Sequence, residues 1–97
     1  MKTKQALVLS TLLGLCSSLA FAACNEPTKP ELPDPETAVT PQMIKAKNDV
    51  NAYLSDATAF LECTNSTRKH NDMVNEMNDV ADQFNAIIRA YKARMAG

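Results

Sequence analysis

From residue 41 onward, apolar residues return every three or four positions, the period of one face of an α-helix. Met43, Ala46, Val50, Tyr53, Ala57 and Phe60 follow a 3-4-3-4-3 spacing, and Leu54 and Leu61 broaden the stripe. A polar break, Thr64-Asn65-Ser66-Thr67, interrupts it with residues that suit turns and helix caps. The spacing then resumes through His70, Met73, Met77, Val80, Phe84, Ile87 and Tyr91, flanked on one side by Val74, Ala81, Ile88 and Met95. Thr40 is a good N-cap and Pro41 a favoured first helical residue. Helices are predicted over about 41–63 and 66–95. The second carries acids early (Asp72, Glu76, Asp79, Asp82) and bases late (Arg89, Lys92, Arg94), the order that complements the helix dipole.

Heptad phase decides between one long helix and two. Continuing the first seam past Phe60 would place Thr64, Thr67 and Asn71 on it, whereas the apolar seam resumes at His70, one residue out of phase. A phase slip at a polar break predicts a turn, hence an antiparallel, coiled-coil-like hairpin. Pairing about the turn sets Phe60 against Met73, Ala57 against Met77, Tyr53 against Val80, Val50 against Phe84, Ala46 against Ile87 and Met43 against Tyr91.

Upstream, Pro27, Pro30, Pro33, Pro35 and Pro41 gather with Glu26, Glu31, Asp34 and Glu36. Proline disfavours helix at its own position and at the one before it, so residues 23–40 are expected as an extended, polyproline-like arm. Further upstream, Lys2 and Lys4 precede the apolar or small run Ala6–Ala22, and Ala20-Phe21-Ala22 places alanines at −3 and −1 of a cut before Ala23. Residues 1–22 are therefore expected as a secretory signal peptide. A membrane span needs about 20 apolar residues, and this run is interrupted by Ser10, Thr11, Gly14, Ser17 and Ser18. A competing cut lies before Cys24. Phe21-Ala22-Ala23-Cys24 is like a bacterial lipobox, except that Phe21 stands where Leu is usual.

Composition now adds to the pattern. A 97-residue chain holds one small domain, with no room for a two-domain enzyme or a large α/β sheet. Residues 23–97 carry eight Lys/Arg against eleven Asp/Glu, a charge of −3, without the basic excess of a nucleic-acid binder. Cys16 leaves with the signal. The remaining Cys24 and Cys63 are expected to pair in an oxidising compartment. The arm is long enough for this. Helix 41–63 spans roughly 33 Å, and the stretch from Cys24 to Thr40 reaches roughly 50 Å at polyproline rise. The fold expected is all-α: a two-helix hairpin with its Pro-rich arm stapled by one disulfide.

No catalytic, cofactor or metal site is expected. H-E-x-x-H, G-x-S-x-G, C-x-x-C and P-loop patterns do not occur in the sequence. His70, the single histidine, reads as a partly exposed packing residue at the edge of the seam. Cys24, Cys63 and His70, with Asp72 or Glu62, are a conceivable metal set at the turn end, but pairing of the cysteines takes precedence. Asn65-Ser66-Thr67 matches a glycosylation sequon and reads as turn chemistry. Leu54, Leu61, Val74, Ala81 and Ile88 form a candidate second contact surface for a protein partner or a second copy. The expected role is non-catalytic binding in the periplasm or envelope. The alternative is an envelope lipoprotein with a structural role, touching the membrane only through a lipidated Cys24.

The layout resembles a loose group of small exported bacterial proteins of proteobacterial type, in which a signal peptide precedes a Cys, a Pro-rich segment and two helices. The resemblance rests on Cys24, Pro27, Pro30, Leu32-Pro33-Asp34, Gln42-Met43, Tyr53, Cys63, His70-Asn71, Phe84-Asn85 and Tyr91-Lys92. It implies a periplasmic or envelope location and brings no activity or catalytic residue with it.

Overall fold

The computed structural model describes residues 24–97; the expected signal peptide, 1–22, lies outside them. Two helices, α1 (Thr40–Cys63) and α2 (Thr67–Ala96), are the only regular elements among the described residues. They form the expected antiparallel hairpin about residues 64–66, with the arm tied to it by a Cys24–Cys63 disulfide whose Cα atoms are 5.7 Å apart.

The helix starts differ in detail from expectation. Val39, not Thr40, is the N-cap of α1, and its backbone N–H donates to Gln42 Oε1 at 2.9 Å. The Thr40 hydroxyl is instead 2.6 Å from Tyr91 Oη, across the open end of the hairpin. Ser66 caps α2 as its polarity implies, accepting from the Lys69 N–H at 3.2 Å, so α2 starts at Thr67.

The two seams close on each other in two clusters. Near the turn, Ala57, Phe60 and Met73 are buried together, with Leu61 and Met77 packed beside them. Toward the open end, Met43, Ala46, Val50, Tyr53, Val80 and Phe84 form the larger cluster, backed by Ile87, Ile88 and Tyr91. Ala57 is fully buried, in one cluster with the larger Phe60 and Met73 that lie toward the turn. Tyr53 donates to Glu76 Oε1 at 2.6 Å, about one turn along α2 from Val80, its predicted partner, which is buried in the same cluster.

Ala38 also enters the larger core, 2% exposed, and Leu32 packs against it. The arm is therefore part of the fold. It runs antiparallel to α1, with Asn25, Glu26 and Pro27 beside Asp56 and Ala59, and Leu32 and Pro33 beside Gln42 and Ala46. The lengths match. Cys24 to Pro33 at polyproline rise covers about 28 Å, and Cys63 back to Lys45 covers about 27 Å of helix. The remaining residues need not stay extended. Contrary to the expectation of a wholly extended arm, 35–37 form a turn. Asp34 organises it: its carbonyl accepts from the N–H groups of Thr37 at 3.2 Å and Ala38 at 2.9 Å, and its carboxylate from that of Glu36 at 2.9 Å. Asp followed by Pro is a turn signature, with proline's fixed φ at the second position.

Candidate interaction surface

The arm gives the hairpin two unlike sides. In an antiparallel pair, the residue that follows each seam position emerges on the same side of both helices, because the reversed chain direction cancels the reversed facing. The arm lies on the opposite side. There, Arg94 near the end of α2 donates from Nε to the Pro35 carbonyl at 2.9 Å and from Nη2 to the Ala38 carbonyl, while its guanidinium lies 5.4 Å from the centre of the Tyr91 ring. Donation to two backbone acceptors from one planar fork is a geometry that suits arginine. Tyr53 and Glu76 bond on this side too, and burial, then the Glu76 acceptor, then the charges of Glu76 and Glu26, hold the Tyr53 phenol above its usual range.

The uncovered side holds the five residues singled out in the sequence. Leu54, Leu61, Val74, Ala81 and Ile88 each follow a seam residue, and each is half-buried. Helical phase spreads them along one side of the hairpin, and Leu54, Leu61 and Ile88 pack against the core clusters. Toward the open end the same side deepens into an apolar groove of about 220 Å³, lined by Met43, Ile44, Phe84 and Ile88 and edged by Lys47 and Lys92. Ile44 is 56% exposed and Met95 59%. Sequence reasoning passed over Ile44, Lys47 and Lys92, although Ile44 and Lys47 follow Met43 and Ala46 by one residue, the same offset that marks Leu54 and Leu61.

His70 is exposed beside Thr64–Thr67 at the turn, further from the core than its seam position implied. Both sulfurs of the conceivable metal set are in the disulfide, and no group of three His, Cys, Asp or Glu residues gathers among the described residues. The ion pair among those residues, Lys45 Nζ to Asp49 Oδ2 at 2.6 Å, is an exposed i,i+4 contact on α1 and contributes little to stability. No helix among the described residues is long and apolar enough to cross a membrane. No protein-family model, curated protein or solved structure matches the chain.

Proposed function

We propose that the chain is a non-catalytic, exported protein of the bacterial periplasm or envelope that acts by binding, through its helical hairpin, to a partner protein or to a second copy. One observation carries this: the arm covers one side of the hairpin and leaves the other, with its row of half-buried aliphatic residues and its groove at the open end, uncovered. A two-helix unit needs only one covered side for its own seam, so a second apolar side is surplus to the fold and suits a partner. The signal-like start and the pairing of Cys24 with Cys63 support an oxidising compartment. The lipid-anchored alternative needs the Cys24 sulfur that the bridge occupies.

Site-specific photo-crosslinking in intact cells tests the proposal. A photoreactive residue at Ile88 is expected to give discrete protein adducts, and one at Pro33, on the arm side, to give none or far fewer. Silence at Ile88, or equal yields at the two positions, refutes binding through this side. Intact mass of the same chain is expected to correspond to a cut before Ala23 and an oxidised cysteine pair; a diacylglyceryl adduct on Cys24 would establish the alternative.

A further inference from the structure

The identity of the residues on the uncovered side narrows what covers it. From Ile44 to Leu61 on α1 and from Val74 to Met95 on α2, the positions emerging there hold aliphatic residues, Asn or Thr at 51, 58, 78 and 85, and Lys47 and Lys92. None is Asp or Glu. The acids lie elsewhere by helical phase: Glu76 and Asp79 toward the arm, Glu62 and Asp82 on the outer edges. The side is thus a row of aliphatic residues alternating with uncharged polar ones, with two ammonium groups near one end, and neither lysine is in an ion pair among the described residues.

Length and charge then choose the occupant. Ile44 to Leu61 spans about 26 Å along α1. A small amphiphile in the groove at the open end would leave Leu54, Leu61, Val74 and Ala81 uncovered, whereas a helix of about 18 residues matches the row end to end. A second copy docked face to face would add two more lysines and no carboxylate to the interface. Lys47 and Lys92 stand exposed at the edge of the groove, where charge complementarity favours an occupant that brings acids over one that brings more lysines. Resting on the interaction reading above, we propose that this side receives an amphipathic helix of a partner protein, its apolar stripe flanked by Asp and Glu. The helix lies along the furrow between α1 and α2 and completes a three-helix bundle.

Two short synthetic helical peptides test this on the full, disulfide-bonded exported chain. They share a Leu heptad stripe and differ only in flanks, Glu in one and Lys in the other. Fluorescence anisotropy is expected to show the Glu-flanked peptide binding about tenfold or more tightly, with the preference shrinking as salt rises. The double variant K47E/K92E, at two exposed positions, is expected to reverse the preference with its circular dichroism unchanged. Ile88→Asp is expected to weaken both peptides. Equal affinity for the two peptides, or none for either, overturns the proposal. So does a dimer by light scattering that Ile88→Asp dissolves, or a preference for anionic vesicles over both peptides. Crosslinks from Ile88 in cells would still stand after any of those results, so failure here and failure of the broader reading are distinguishable.

Discussion

Replacing Cys63 by Ser is expected to lower the unfolding free energy by roughly 2–4 kcal/mol. The two cysteines are 39 residues apart in sequence. Closing a loop of that size removes about 4 kcal/mol of chain entropy from the unfolded state, an upper figure because unfolded chains keep some compactness. Few other contacts replace the bridge at that end. Between Cys24 and Leu32 the arm has no buried side chain, and its firm anchors, Ala38 and the Arg94 contacts, lie at the open end. Without the bridge, residues 24–31 should come away from α1 first, while the turn at 35–37 stays docked. Denaturant unfolding followed by circular dichroism measures the loss. The slope against denaturant should also rise, because the uncrosslinked chain exposes more surface on unfolding. For a domain this small, each kcal/mol lowers Tm by roughly 4–8 °C. Cys24→Ser should match Cys63→Ser closely, since either removes the same crosslink. A Tm unchanged in both variants would mean that the staple contributes nothing to stability.

The hairpin was legible because periodicity reports the dominant energy term, burial of two seams against each other. The phase slip at Thr64–Thr67 located the turn, and the exported-type cysteine pair together with arm length predicted the bridge. Short-range polar chemistry was harder to read. Thr40 has the side chain of a cap, yet its hydroxyl meets Tyr91, 51 residues away, and the cap falls to Val39 through Gln42. No local propensity contains that pairing. The Asp34-Pro35 turn was present as a signature, but proline density pointed to extension along the whole stretch. Ala38 joins the core although it belongs to no periodic run, since the turn rather than a helix delivers it there. On the candidate surface, the offset of one residue from the seam identified five aliphatic positions. It did not reveal which side the arm would take, and that choice is what leaves Lys47 and Lys92 at the edge of an open groove.

Tyr53→Ala is expected to destabilise the protein by about 3–5 kcal/mol, comparable with loss of the bridge. Tyr53 is 3% exposed and sits mid-way along α1, in the larger cluster and one turn before the buried Ala57. Removing its ring opens a void that the helices cannot close without sliding the Phe60–Met73 and Val50–Phe84 contacts on either side. Tyr53→Phe separates ring from hydroxyl. It keeps the packing and leaves Glu76, which is half-exposed and can turn to water, without its 2.6 Å donor. A loss of about 0.5–1 kcal/mol follows at neutral pH. The two variants should also differ in alkali. Burial first, then the Glu76 carboxylate as acceptor and as charge, raise the Tyr53 phenol in the folded chain. A group raised on folding contributes its full stability below its unfolded value, near 10 for a phenol, and loses it as pH climbs toward the folded one. Wild-type stability should therefore fall above about pH 10, and Tyr53→Phe should fall less steeply. Denaturant melts at neutral and alkaline pH give both comparisons. Parallel curves for wild type and Tyr53→Phe would mean that the phenol is not held back by folding. A Tyr53→Ala loss no larger than that of Tyr53→Phe would mean that the ring is not the central packing residue of the seam.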